Sequence, residues 1–290
     1  MADDVLNRVG DARVPTFVTS LDKVIGGGLV LGSTVLVLSE LGAGGKEFLQ
    51  TSMVNYYQAM IGRYEHDKSI IPPERVYYVS QKHSTEVFYK QLAMQFDYMD
   101  YSDFTEKVFQ QYVKHIDLGE RFFARTTVPH TWYTHKSVAD YFMHVPESDE
   151  YAGFASLASL VDITPPNSLV LLDSITPYLP YYADETDWKN FVSLMYGLSR
   201  AAKEKGTTYV ILMTQGILPR NREIEVSGAL DAVFRLQWQK SDVAMTRQRQ
   251  MYIEKYDGVL PTLSARDIAT YNVTISPGLG FEISNLRRVT

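Results

Sequence analysis

Glu40-Leu41-Gly42-Ala43-Gly44-Gly45-Lys46-Glu47 lies between an apolar run at 33–39 (STVLVLS) and a helix-length stretch at 46–64. The run is short, rich in β-branched residues and bounded by Gly32, the pattern of a buried strand. The stretch spaces Phe48, Met53, Tyr56, Tyr57 and Met60 at near-helical intervals before Pro72 and Pro73 break it. Strand, glycine-rich loop, lysine and helix in this order are the parts of a phosphate-binding loop. Small residues let backbone N–H groups face an anion, and the helix N-terminus adds positive potential. Against the pattern GxxxxGK[ST], Gly45 and Lys46 fit, but Glu40 replaces the first glycine and Glu47 the Ser or Thr. Taken alone, the loop reads equally well as a tight turn.

Working outward, strands are expected at 75–80 (RVYYVS), 168–173 (SLVLLD) and 208–214, with a capped helix after Ser84 and another over 187–205 that Gly206 ends. Apolar strands alternating with amphipathic helices argue for a mostly parallel sheet flanked by helices, an α/β fold. The segments 232–238, 250–256 and 270–275 follow without long helices between them, so antiparallel strands should finish the C-terminal edge. Residues 97–165 mix aromatic and charged residues without one period. They read as an irregular, helix-rich insertion-like region with two or three helices and a strand near 121–126. The whole chain, 1–290, is expected to be one domain, with 1–14 as an N-terminal segment.

Asp173 closes the most apolar strand, where an acidic group at a C-terminal strand end can hold Mg²⁺ or its water. The chain has 290 residues, 45% of them apolar, a net charge of −6 and no cysteine. Disulfides, thiolate catalysis and cysteine-based metal sites are thereby excluded. The acidic balance, without a run of Lys and Arg, makes nucleic acid an unexpected partner. No stretch is long and apolar enough to span a membrane, and a cytoplasmic protein is expected. His130 and His135 carry no ligand spacing. No GxSxG elbow offers a hydrolase nucleophile.

Residues 19–29 (TSLDKVIGGGL) resemble the segment that leads into the P-loop strand of KaiC and archaeal RadA-type ATPases of the RecA superfamily. RVYYVS resembles that family's second core strand, LLDSIT its Walker B strand, YVILMTQ its sensor strand and MYIEKYDG a late strand whose residues act across a subunit boundary. The resemblance spans residues 14–97 and 168–285. Glu47-Phe48 and the stretch ETDWKNFVSLMYGLSRAAKE look most like the archaeal HTR-like branch, here with a degenerate Walker A loop.

The resemblance implies a site for ATP or ADP with Mg²⁺, built from Gly42, Ala43, Gly44, Gly45, Lys46, Glu47, Phe48, Asp173 and Gln215, with Glu47 and Asp173 on the metal. It also implies self-association in the manner of KaiC or RecA, or a protein partner. The family's catalytic carboxylate is expected just after RVYYVS, where Gln81, Lys82 and His83 stand instead. Gln81 is left to position a water, as a glutamine does in some GTPases. A carboxylate about 4 Å from a phosphate charge costs about 4 kcal/mol at an effective dielectric near 20, roughly three decades of affinity. Mg²⁺ bound by Glu47 would absorb that repulsion; the alternative is that Glu47 pairs with Lys46 or a nearby basic residue and the pocket stays empty. Lys255 lacks the arginine neighbour of ring-forming relatives and reads as a surface lysine. Tyr178, Tyr181 and Tyr182 with Trp188 read as packing residues or as a stacking surface, and Arg220 and Arg222 as loop arginines.

The expectation is a nucleotide-sensing or vestigial regulatory protein with weak or no ATP hydrolysis. An active ATPase, whether recombinase mediator or motor, and a ligand-free interaction module stand as alternatives.

Overall fold

Val35 and Val37 turn to one side of their strand, Leu36 and Leu38 to the other, and all four are fully buried. Strand period 2 with apolar residues at every position calls for a sheet covered on both faces, and this is what the chain builds. The computed structural model describes residues 12–64, 70, 72–124, 126–133, 152–239, 247–263 and 269–285. The run forms β3 (Thr34–Ser39), and the other expected strands form β4 (Arg75–Ser80), β6 (Ser168–Asp173), β7 (Thr208–Thr214) and β8 (Ala232–Trp238). With β5 (Val113–Asp117), β9 (Arg249–Tyr256), β10 (Tyr271–Ser276) and β11 (Gly280–Asn285) they make a nine-stranded sheet in the order β11-β10-β9-β8-β3-β7-β6-β4-β5.

From β8 to β5 all pairings are parallel, whereas β9, β10 and β11 add antiparallel strands at the other edge. β8 thus belongs to both regimes, parallel to β3 and antiparallel to β9, and the expected antiparallel edge begins one strand later than β8. A separate two-stranded pair joins β1 (Arg13–Val14) to β2 (Leu29–Val30). Register brings the C-terminal ends of the central strands into line: Ser39 pairs with Thr214, and Ser80 with Asp173. That edge is where an open α/β sheet places its ligands.

Helix α2 (Gly45–Met60) lies on one face, and from Phe48 to Ala59 each of its residues is buried, polar ones included. Its amphipathicity is weak because the β10–β11 hairpin and α1 (Thr19–Val24) cover the side away from the sheet. Thr51 Oγ1 accepts the Phe281 amide at 2.8 Å and the Asn55 amide donates to the Phe17 carbonyl at 2.8 Å, so these two buried polar groups are satisfied, whereas Gln50 Oε1 has no donor. The opposite face is covered by α7 (Ala152–Ile163) and α8 (Glu185–Lys205). Asp184 caps α8 by accepting from the Thr186 and Asp187 amides at 2.8 and 2.9 Å, and left-handed Gly206 ends it at φ 64°.

Within 97–165 the strand falls at 113–117, not near 121–126. There Gly119–Phe123 forms α6, after α3 (Thr85–Gln95), α4 (Tyr101–Thr105) and α5 (Lys107–Tyr112). The sequence VKHID hides this edge strand because Lys114 and Asp117 face solvent while Val113 and His115 turn in.

Candidate functional site

The turn from β3 into α2 depends on two glycines. Gly44 is left-handed at φ 113°, and a Cβ on it would lie 3.1 Å from Ile275 Cδ1 and 3.2 Å from Phe281 Cε2. A Cβ on Gly45 would lie 2.6 Å from Leu212 Cδ1 and 2.7 Å from Ser39 Cβ, closer than packed atoms approach. The first bond of the helix ladder runs from Phe48 N–H to the Gly44 carbonyl at 2.8 Å, and no side chain caps the helix. The N–H groups of Gly45, Lys46 and Glu47 therefore precede the ladder and point out of the helix start, where an anion is favoured.

The outer side of the loop is held by residues far along the chain. Trp238 Nε1 donates to the Leu41 carbonyl at 3.0 Å, and Arg249 Nε donates to the Gly42 carbonyl at 2.8 Å. The Arg249 guanidinium lies 4.7 Å from the Trp238 ring centroid, a cation–π stack. Glu40, where the pattern has glycine, accepts the Trp238 amide on Oε2 at 2.9 Å. Glu40 is thus a strut between the loop and the end of β8. With two loop carbonyls tied outward, the loop's peptide planes are fixed.

Among the described residues the side chains of Lys46 and Glu47 make no hydrogen bond and no ion pair, with each other or with any neighbour. The proposed Lys46–Glu47 pairing is absent. Phe48 is buried against Phe281, with ring centroids 5.3 Å apart, and serves packing. Asp173 sits at the end of β6, and its Oδ2 accepts from the Tyr78 hydroxyl at 2.6 Å. Burial, reinforced by the charge of Asp173, holds the Tyr78 phenol well above its ordinary pKa, so it stays a donor.

Gln81 and Gln215 stand at the ends of β4 and β7. Gln81 is buried, its Nε2 donates to the Ser174 carbonyl at 2.9 Å, and its Oε1 has no donor. Gln215 binds the Ser39 carbonyl through its backbone N–H at 2.8 Å, and its buried Oε1 likewise has no donor. His83 feels charges of both signs. Burial first, then the charges of Lys46 and Lys82, push its pKa down, with Asp173 acting in the opposite sense.

Other sequence candidates lie elsewhere or are engaged. Lys255 is no free surface lysine: its Nζ donates to the Gly228 and Leu230 carbonyls at 3.1 and 2.5 Å, closing the end of α9 (Arg220–Ala229) within its own chain. Arg222 donates to the Tyr182 and Ala183 carbonyls at 3.2 and 2.9 Å and stacks on Trp188 at 4.7 Å. Tyr178 and Tyr182 are buried packing residues, whereas Tyr181 is exposed. His135 and the side chain of His130 lie outside the described residues. Sequence reading missed that Glu40, Trp238 and Arg249 brace the loop and that Tyr78 binds Asp173. The only signals were a tyrosine in mid-strand at 78 and a tryptophan ending β8.

No family model matches the chain, and no curated protein does. Among solved structures it is similar to a KaiC-like protein from the hyperthermophilic archaeon Pyrococcus horikoshii OT3, with a TM-score of 0.57 and 15% identity over 94% of this chain and 98% of that one. The fold is α/β, a KaiC-like RecA core whose mostly parallel sheet is flanked by helices and finished by antiparallel strands at the C-terminal edge. Among the described residues no helix is long and apolar enough to cross a membrane.

Proposed function

We propose that the loop formed by Gly42, Ala43, Gly44, Gly45 and Lys46 binds ATP or ADP, with Glu47 and Asp173 taking Mg²⁺, and that the protein senses nucleotide while hydrolysing it weakly or not at all. The observation that carries this reading is the state of Lys46: an ammonium with no partner among the described residues, next to uncapped N–H groups at the start of α2. Such a cationic, donor-rich corner is complementary to phosphate. The donor set also fits a hard cation, since Glu47 has no ion pair and Oδ1 of Asp173 accepts no hydrogen bond among the described residues. Bound Mg²⁺ would offset the repulsion between Glu47 and the phosphates.

Weak hydrolysis follows from what stands after β4. No carboxylate occupies 81–83, and Gln81 is the group left to orient a water, through an Oε1 that has no donor. That oxygen is the one feature favouring the alternative of an active, slow ATPase. Phe48 contributes packing beneath the loop, and Gln215 faces the same strand ends. We further propose a single domain over 1–290, a cytoplasmic location, and signalling through self-association or a protein partner.

Isothermal titration with ATP, with and without Mg²⁺, tests the reading. Saturable binding with little phosphate release supports it. No binding in either condition overturns it, and tight binding followed by steady phosphate release replaces the sensor with an enzyme.

A further inference from the structure

Position 47, where the P-loop pattern places a hydroxyl facing the cation, holds a carboxylate in this chain. The hydroxyl that does reach Asp173 comes from another element. Tyr78, in the middle of β4 and fully buried, donates to Oδ2 of Asp173 at 2.6 Å. Its ring cannot swing away. It stacks on Phe88 at 4.6 Å with an interplanar angle of 25°, and Phe88 in turn stacks on His115 at 4.5 Å. On the other side, the carboxamide of Gln50 approaches the Tyr78 oxygen, and Glu47 is near enough for its charge to act on the phenol. Gln50 lies one helical turn beyond Lys46 on the same face of α2. A buried line therefore runs from the helix that carries the loop, through β4, to the acidic end of β6.

We propose that Tyr78 is a positioning residue of the nucleotide site: by holding Oδ2 of Asp173 it presents Oδ1 to the cation, in place of the hydroxyl that position 47 lacks. This rests on the reading of the loop as a nucleotide site. An aspartate at a strand end would otherwise rotate toward solvent, and the cation would lose one of its two protein ligands. Tyr78 contacts neither nucleotide nor metal and acts only through Asp173.

The consequence is confined to the cation. Tyr78→Phe keeps the ring and its stack while removing the hydroxyl. ATP binding in EDTA should stay within about twofold of wild type, whereas the enhancement by Mg²⁺ should fall by about tenfold, the worth of one hydrogen bond to a charged group. The same loss should appear when Mn²⁺ replaces Mg²⁺ and is followed by its paramagnetic resonance signal in the presence of ADP. The double variant Tyr78→Phe with Asp173→Asn should bind Mg²⁺–ATP no more weakly than Asp173→Asn alone. If Tyr78→Phe proves unstable by thermal melting, Gln50→Met, which leaves the tyrosine and the aspartate in place, should give a smaller loss of the same kind.

Equal weakening with and without metal, no change in either, or additive effects in the double variant would overturn the positioning role. Failure of the wild type to bind nucleotide at all would overturn the site itself and this role with it. Normal wild-type binding with an unaltered Mg²⁺ enhancement in Tyr78→Phe overturns only the latter.

Discussion

Glu40 and Trp238, 198 residues apart, are joined by a hydrogen bond of 2.9 Å from the Trp238 amide to the Glu40 carboxylate. A residue that departs from the phosphate-loop pattern is thus a structural partner of the last residue of β8. Glu40→Gly, which restores the pattern on paper, should lower stability by about 1–3 kcal/mol because a part-buried N–H loses its acceptor. Urea denaturation measures the loss. Unchanged stability, or tighter nucleotide binding, would contradict the strut.

Trp238→Ala removes the indole bond to Leu41 and the platform beneath Arg249. The loop amides from Gly42 to Lys46 should exchange with deuterium faster, while the amides of β6 and β7 keep their protection. Equal acceleration across the sheet would point to global destabilisation instead.

Glu47→Thr removes the charge that would face the phosphates in the proposed site. In EDTA, ATP should bind at least about tenfold more tightly, given a repulsion of up to about 4 kcal/mol at close approach. With Mg²⁺ the gain should be smaller, because the cation loses a carboxylate as the repulsion disappears. A gain confined to the Mg²⁺ condition would refute Glu47 as a metal ligand.

Lys46→Ala should abolish the rise in melting temperature that ATP produces in the wild type, since a ligand stabilises only as far as it binds the native state. The melting temperature without ATP should hardly move, because Lys46 has no partner among the described residues.

His115 links pH to stability. It lies between Ser80 Oγ, 3.0 Å from Nε2, and Thr85 Oγ1, 2.8 Å from Nδ1, and burial pushes its pKa down to about 4, with His83 adding to the shift. The unfolded chain takes up this proton near pH 6.5, the native chain only near pH 4. Stability from this group is therefore complete above about pH 6.5 and is lost as pH falls through that window, by roughly 3 kcal/mol. His115→Gln should show a shallower decline between pH 6.5 and 4.5 in denaturant titrations. Parallel curves for variant and wild type would sink the assignment.

The strands at 75–80, 168–173, 208–214 and 232–238 were legible residue for residue because each is largely buried and writes itself as a mostly apolar run, broken only by polar residues such as Arg235 and Gln237 in the last. The edge strand 113–117 was not, since half its side chains meet water. Nor did the sequence reveal why α2 carries Gln50, Thr51, Asn55 and Gln58 on buried faces. Thr51 and Asn55 find their partners in the β10–β11 hairpin and the segment around Phe17, and Gln50 lies toward Tyr78 of β4, elements that no local pattern connects to the helix.

The sequence by itself determined the alternation of strands and helices, the glycines that let β3 turn into α2, and the place of Lys46 at that helix start. These are properties of a few neighbouring residues, governed by backbone sterics and by the period of burial. Only the tertiary structure decided that Glu40 braces β8, that Lys46 and Glu47 ignore each other, and that Asp173 takes its hydroxyl from Tyr78. The Glu40–Trp238 and Tyr78–Asp173 bonds join residues far apart in the chain, and strand order, not chain proximity, sets which side chains come within hydrogen-bonding distance at that sheet edge.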